Sequence, residues 1–183
     1  MIVDDNEQNV DLLQQQLTEA GYDTVSCFSG LEALDKARES NPDVILLDLM
    51  MPHLDGYNTC SLLKKAFSEK FLPVIFLTVQ TETQSKIKAM LKGADDYLIK
   101  PYDFHELHMR IQATVRLIEL DQEKRVLLEF HEKTQIIFKE LESLLTSLNY
   151  ALEKLEEEAP KAAFKDLQFA KEGISKILKK ISF

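Results

Sequence analysis

Cysteine is scarce in this sequence of 183 residues, and long apolar runs are absent. The two cysteines, Cys27 and Cys60, have no metal-ligand spacing and fall in apolar segments, so we expect small core residues in a reducing cytosol. No apolar run approaches the roughly 18 residues that a membrane span needs. No signal peptide is recognisable either. We therefore predict a cytoplasmic protein without a membrane partner.

An excess of basic charge is also absent. Residues 1–119 contain 11 Lys and Arg against 19 Asp and Glu, and residues 120–183 contain 11 against 12. An acidic surface repels the phosphate backbone of nucleic acids. Nucleic-acid binding is therefore not expected of the first part of the chain.

The stretch 44–52 is an apolar run that leads into Asp48 and is followed by Pro52. A run of this length before a turn is typical of a strand buried on both faces of a parallel sheet. Similar runs alternate with amphipathic segments that begin at capping residues. The predicted strands are 1–3, 24–28, 44–47, 73–78 and 97–99, and the predicted helices begin near 6, 29, 56, 81 and 103. This pattern predicts an α/β fold with a doubly wound, five-stranded parallel sheet.

Glycine and proline are both missing between Pro101 and Pro160. A helix that begins near Phe104 is therefore expected to continue to about Glu158. Its apolar residues are spaced three and four apart, as in a heptad seam: Leu127, Phe130, Thr134, Ile137, Leu141, Leu144 and Leu148. The same spacing after Pro160 predicts a second helix, and hence an all-α hairpin. Apolar residues off both seams predict that two chains pair into a dimeric four-helix bundle. The predicted domains are the α/β part at 1–119 and the helical part at 120–183.

Four predicted strands end in polar groups: Asp4 with Asp5, Asp48, Thr78 and Lys100. The carboxyl ends of parallel strands lie at one edge of the sheet, so these groups can converge. Carboxylates placed together repel each other, and a hard cation such as Mg²⁺ relieves the repulsion while leaving room for a phosphoryl oxygen. An aspartate nucleophile, a cation, a lysine and a hydroxyl group are the components of a phosphoryl-transfer site.

These residues resemble the receiver domain of two-component response regulators. The matching features are the acidic pair at 4–5, Asp48 in LLDLMMPHLDG, Thr78 at the end of strand four, Tyr97 in strand five and Lys100-Pro101. Together they extend over residues 1–119. The resemblance implies a flavodoxin-like receiver fold and a signalling switch that accepts a phosphoryl group on Asp48 from a sensor histidine kinase.

The resemblance also implies a role for each site residue. Mg²⁺ would be held by Asp5, Asp48 and the Met50 carbonyl, with Asp4 acting through water. Thr78 and Tyr97 would form the switch pair, Lys100 would contact the phosphoryl group, and Lys100-Pro101 would be a cis peptide bond. Since the sequence has none of the glycine-rich boxes of an ATP-binding domain, we expect self-phosphorylation from a phosphodonor but no kinase activity.

Two residues depart from the family pattern. Val79 is bulkier than the small residue usual after the switch threonine, and Met50 cannot position an attacking water as a polar side chain does. Both differences favour a long-lived phosphoaspartate. Met50 also stands where a haloacid-dehalogenase-like phosphatase needs its second acid, and the acids at 4–5 would repel the phosphate of a flavodoxin-like nucleotide binder. Both alternatives are therefore disfavoured.

Three roles are open for residues 120–183. The first is a dimerisation hairpin that serves an unidentified downstream protein. The second is phosphotransfer, because His131 beside Glu132 is similar to the dimerisation and phosphotransfer domain of histidine kinases, and the chain would then be a fragment of a hybrid kinase or phosphorelay protein. The proline usual after that histidine is missing. The third is a basic face that binds a partner or nucleic acid, formed by Lys161, Lys165, Lys171, Lys176, Lys179 and Lys180.

Overall fold

The computed structural model describes residues 1–80, 83–158 and 164–181, with side chains at 1–80, 87–155 and 168–177. The strands are β1 Ile2–Val3, β2 Ser26–Cys27, β3 Ile45–Asp48, β4 Val74–Thr78 and β5 Asp96–Ile99. The helices are α1 Glu7–Glu19, α2 Gly30–Ser40, α3 Gly56–Ala66, α4 Thr83–Leu91, α5 Phe104–Glu158 and α6 Phe164–Ile181. The order of elements is the predicted one.

All five strands form one parallel sheet in the order β2-β1-β3-β4-β5. The prediction of a doubly wound parallel sheet is therefore confirmed. The central strands β3 and β4 are buried along their whole length, as their continuous apolar runs indicated. In the register between them, Asp48 pairs with Leu77, the residue before Thr78. Asp48 and Thr78 therefore both lie at the carboxyl edge of the sheet.

The core has two layers, one on each face of the sheet. One layer includes Val3, Leu47 and Phe76, and the other includes Ile2, Leu46 and Ile75. Consecutive strand residues alternate between the layers because side chains alternate between the faces of a strand. Cys27 and Cys60 are free and fully buried in the first layer, as predicted.

Capping residues fix the beginnings of the helices that follow the strands. Asn6, Ser29 and Asp55 accept backbone N–H bonds through their side chains. Several bounds differ from the prediction by one or two residues. Strand β2 is limited to Ser26–Cys27, the two residues that pair with β1, and α3 ends at Ala66 rather than near 68. The predicted cap at Thr81 lies outside the described residues.

The chain divides into two compact units, residues 1–122 and 123–183, and α5 contributes residues to both. Within the second unit, Lys171 Nζ of α6 lies 3.6 Å from Glu153 Oε1 of α5, and Ile174 is buried. Helix α5 begins and ends where the absence of glycine and proline predicted. Among the described helices, none is long and apolar enough to cross a membrane.

Candidate functional site

Asp48 is the last residue of β3 and is buried at the carboxyl edge of the sheet, with 6% of its surface exposed. Its Oδ2 accepts a hydrogen bond of 2.6 Å from the backbone N–H of Met50. The start of α3 packs closely behind it, because a Cβ added at Gly56 would lie 2.3 Å from the Asp48 carbonyl oxygen. Asp48 is therefore held by backbone on both sides, and its other carboxylate oxygen is bound by a neighbour from a distant part of the chain.

That neighbour is Lys100, which follows β5. Its Nζ donates to Asp48 Oδ1 and to Asp4 Oδ2, each at 2.7 Å. Asp4 follows β1, and Asp48 is the last residue of β3. The two carboxylates thus come from the ends of different strands, as the prediction of converging strand ends requires. A single cation between two buried carboxylates offsets their mutual repulsion and part of their desolvation cost.

Asp4 is fixed by the first turn of α1. Its Oδ1 accepts from the Asn6 N–H at 2.9 Å, and the Asn9 side-chain amide donates to Oδ2 at 3.1 Å. The sequence reasoning missed Asn9. Its position one helical turn after the cap Asn6 is the signal that would have found it, because this spacing turns the amide back toward the acid.

The protonation equilibria reflect this burial. Desolvation raises the pKa of Asp48 above its ordinary value, while the hydrogen bonds from Lys100 and Met50 oppose the increase and the charge of Asp4 adds to it. Desolvation acts to lower the pKa of Lys100, but the hydrogen bonds to Asp4 and Asp48 outweigh it and raise the pKa. Lys100 thus remains an ammonium group at neutral pH.

Thr78 and Tyr97 lie on the adjacent strands β4 and β5. Thr78 is buried, and its Oγ1 accepts a hydrogen bond of 3.0 Å from the Gln80 N–H. Tyr97 pairs with Phe76 and is half-buried against the core. The backbone N–H of Lys100 donates to the Thr78 carbonyl at 2.7 Å, and Lys100-Pro101 is cis, as the resemblance implied.

The metal ligands implied by the resemblance are only partly gathered. Asp4 and Asp48 share one ammonium, and the Met50 backbone is bonded to Asp48, whereas Asp5 is exposed. Within residues 1–80, 83–158 and 164–181, no three His, Cys, Asp or Glu side chains are grouped so as to hold a metal ion. The donors themselves are carboxylate and carbonyl oxygens, which are the ligands that Mg²⁺ prefers, and a cation already lies between two of the acids. The residues present therefore fit a hard divalent cation in the type of donor that they offer.

A cavity of about 360 Å³ opens beside Lys100. Its lining includes apolar side chains from α1, from the loop after β4 and from the start of α5, namely Leu12, Val79 and Phe104. Val79 is 62% exposed. The site can therefore be approached from solvent past apolar groups.

Asp95, Asp96 and His108 of the first unit contact neighbouring side chains. Asp95 accepts from the Lys64 ammonium at 2.6 Å and from the Val74 N–H, and Asp96 pairs with Arg110 at 2.7 Å. His108 stacks on the ring of Phe104. The remaining histidines, His53, His105 and His131, are exposed.

Comparison with known proteins gives a consistent result for the first two thirds of the chain. The profile of the response regulator receiver domain matches residues 1–112. The alkaline phosphatase synthesis transcriptional regulatory protein PhoP of Bacillus subtilis is 39% identical over 120 residues, which are 66% of this chain and 49% of PhoP. The transcriptional regulatory protein PcoR of Escherichia coli is 40% identical over 116 residues, which are 63% of this chain and 50% of PcoR.

Among solved structures, the receiver domain of the Francisella response regulator 1452 has a TM-score of 0.59 at 36% identity and covers 63% of this chain and 93% of that one. The chain spans about half the length of the curated relatives it matches. The profile match ends at residue 112, so these similarities do not favour the hybrid-kinase reading that depends on His131.

Proposed function

The chain belongs to the response regulator receiver family, and from this membership we propose that Asp48 is its phosphoacceptor. The donor would be the phosphohistidine of a sensor histidine kinase, and the cytoplasm would be the compartment. The proposal rests mainly on the Lys100 ammonium, which lies 2.7 Å from Asp48 and from Asp4 at the carboxyl edge of the sheet. At the level of the family, receivers are signalling switches.

In the proposed reaction a carboxylate oxygen of Asp48 attacks phosphorus and forms an acyl phosphate. The P–N bond of the phosphohistidine breaks, and its electron pair returns to the imidazole of the kinase. Lys100 is already within hydrogen-bond distance of the attacked carboxylate, so its ammonium can pass from Asp48 Oδ1 to a phosphoryl oxygen without a large movement. Thr78, one pair further along the sheet, supplies a hydroxyl group for a second phosphoryl oxygen.

Receiver domains bind Mg²⁺ at the phosphorylation site. In this chain we propose Asp5, Asp48 and the Met50 carbonyl as its ligands, with Asp4 acting through water. The bound cation would neutralise the charge that accumulates on the phosphoryl oxygens. The chain's own residues supply the nucleophile, the lysine and the hydroxyl group.

Thr78 and Tyr97 are the proposed switch pair. Both lie beside the site on neighbouring strands, and Tyr97 is half-buried against the core. Movement of the Thr78 hydroxyl toward the phosphoryl group would vacate space that the Tyr97 ring can take. The changed face would include β5 and the neighbouring helices α4 and α5.

We also propose that the phosphoaspartate is long-lived. Met50 is 58% exposed at the mouth of the site, and its thioether accepts a hydrogen bond from the Gln80 amide at 3.3 Å. A thioether already bonded in this way cannot orient an attacking water as a carboxylate or amide does. Release of phosphate within seconds in a phosphate-release assay would contradict this part of the proposal.

The second unit is proposed to be a helical hairpin that pairs with a second copy of the chain. Helix α6 has 18 residues, and the ion pair between its Lys171 and Glu153 of α5 supports a hairpin. The earlier part of α5 keeps large apolar side chains exposed, and Leu127, Phe130, Ile137 and Leu144 are 63–70% exposed. Their heptad spacing suits pairing with another helix of the same kind.

The charges along α5 also favour a second copy of the chain, rather than nucleic acid, as the binding partner. Residues 123–142 contain four basic and five acidic side chains besides His131, a nearly neutral set that one copy can match in another. Of the predicted basic face, Lys171 pairs with Glu153, Lys176 is exposed, and Lys161, Lys165, Lys179 and Lys180 lie outside the described side chains. PhoP and PcoR are named as transcriptional regulators. For this chain we propose output to a downstream protein through the helical dimer.

Transfer from phosphorylated sensor kinases tests the proposed function. Purified chain is mixed with a panel of kinases that carry labelled phosphohistidine, and the label on the chain is followed over seconds. We expect at least one kinase to transfer its label to the wild type and none to Asp48→Asn. Label on Asp48→Asn equal to that on the wild type would contradict Asp48 as the acceptor.

A further inference from the structure

The Asn9 side-chain amide, in the first turn of α1, donates to both carboxylate oxygens of Asp4. The distances are 3.2 Å to Oδ1 and 3.1 Å to Oδ2. Oδ1 also accepts from the Asn6 N–H, and Oδ2 also accepts from the Lys100 ammonium at 2.7 Å. An amide that lies at nearly equal distances from both oxygens opposes rotation of the carboxylate about its Cβ–Cγ bond. Asn9 therefore fixes which oxygen of Asp4 faces Lys100.

The helix itself does not need the Asn9 amide as a cap. The side chain of the N-cap residue Asn6 accepts from the backbone N–H groups of Gln8 and Asn9. In a capping box, the third residue of the helix would accept in return from the N–H of the cap. Here that N–H donates to Asp4 Oδ1 instead, at 2.9 Å. The side chain of Asn9 is thus used to hold the acid rather than to begin the helix.

Asp4 in turn holds Lys100. The ammonium lies 2.7 Å from Asp4 Oδ2 and 2.7 Å from Asp48 Oδ1. In the proposed reaction it leaves Asp48 for a phosphoryl oxygen, so the bond to Asp4 is the one that persists. The position of the ammonium during transfer then depends on the direction of the Asp4 carboxylate. Asn9 and Lys100 also line the same cavity, through which solvent reaches the ammonium.

We infer that Asn9 is a positioning residue that fixes the Asp4 carboxylate, keeps Lys100 in place beside Asp48 and so speeds phosphorylation of Asp48. The effect on the rate rests on the proposed function of Asp48. Asn9→Leu keeps a side chain of similar size and removes only the amide. Asp4 then retains its bonds from Asn6 and Lys100 but is free to rotate, and Lys100 is held less firmly.

The first test measures Lys100 itself, without Mg²⁺ or a phosphodonor. The full chain receives a short pulse of acetic anhydride, and acetylation of each lysine is measured by peptide mass. Since a net hydrogen bond is worth a factor of about three to ten in an equilibrium constant, we expect Lys100 to react about three- to tenfold faster in Asn9→Leu. Lys64, whose ammonium is bound by Asp95 at 2.6 Å, should react as in the wild type. Lys64 thus reports any general loosening of the fold.

The second test measures the rate of phosphorylation from a small acyl phosphate with Mg²⁺, followed by intact mass. Asn9→Leu should be about three- to tenfold slower than the wild type. In a Lys100→Met background it should cause no further slowing, because Asn9 acts through Lys100. Asn58→Leu is the matched control for both tests. It replaces the same residue type at the same place in α3, three residues after the cap Asp55, where the side chain is exposed, and both readouts should equal those of the wild type.

Three results would overturn the inference while leaving Asp48 as the acceptor. They are an unchanged reactivity of Lys100 in Asn9→Leu, an equal increase at Lys64, and a further slowing by Asn9→Leu in the Lys100→Met background. A wild-type chain that gains no phosphoryl group would overturn the proposed function, and this inference with it.

Discussion

Lys100 Nζ lies 2.7 Å from Asp48 Oδ1, although 52 positions separate the two residues in the chain. The fold makes this contact because β3 and β5 lie on either side of β4 in one parallel sheet and end at the same edge. The same ammonium also binds Asp4, from the other side of β3. Three segments distant in the sequence thus contribute one ion cluster, and the proposed phosphorylation of Asp48 depends on that cluster.

Replacing Lys100 by methionine should slow phosphorylation of Asp48 from a small acyl phosphate by about 100-fold, because the substitution removes a donor that meets developing charge. The pKa of Asp48 should rise further, since the hydrogen bond from Lys100 now opposes the effect of burial. Intact-mass kinetics and an NMR titration of the carboxyl carbon measure the two effects. Lys65→Met, at an exposed lysine of α3, is the control that should change neither. An unchanged rate in Lys100→Met would contradict the role of this residue.

Asp48→Asn should make the protein more stable at neutral pH, because an ionised carboxylate is buried there at a cost in free energy. The pKa of Asp48 in the folded protein is raised above its ordinary value of 3.8. The stability associated with its protonated form is therefore fully present below 3.8 and is lost as the pH rises through the folded pKa. The stability difference between variant and wild type should thus be largest above the folded pKa and should shrink as the pH falls.

Urea unfolding at a series of pH values measures this difference. Asp35→Asn is the matched control because the Asp35 side chain is 78% exposed and forms only a surface pair with Arg38. Its difference from the wild type should show no comparable loss at low pH. A variant at Asp48 that is less stable than the wild type at neutral pH would show that the interactions of the carboxylate outweigh its desolvation.

The sequence predicted the parts of the site that depend on strand ends. Asp48, Thr78 and Lys100 each terminate or follow an apolar run, and a parallel sheet has few ways to arrange such runs. Asn9 was missed although its spacing from Asn6 is a signal, whereas the hydrogen bond between Tyr57 and Gln80 could not be predicted. It joins side chains from different elements, and such contacts depend on the distance between packed helices and loops. The extent of β2 was also missed, since the length of an edge strand is decided by its pairing with a neighbour.

Ile137→Asp should convert the proposed dimer into a monomer, because Ile137 is 63% exposed within the heptad seam of α5 and a buried aspartate there would have no partner. Light scattering after size-exclusion chromatography measures the molar mass. Gln135→Asp introduces the same charge at an exposed residue off the seam and should leave the dimer intact. Equal masses for the two variants, whether both dimeric or both monomeric, would contradict pairing through this seam.

The most direct test of the central claim is the intact mass of the full chain after incubation with a small acyl phosphate, with Mg²⁺ or with a chelator. We predict a mass increase of one phosphoryl group for the wild type with Mg²⁺, little or none with the chelator, and none for Asp48→Asn under either condition. An unchanged mass for the wild type with Mg²⁺, or an equal increase for Asp48→Asn, would contradict the claim that the acids and Lys100 at this edge of the sheet form a phosphoryl-accepting site.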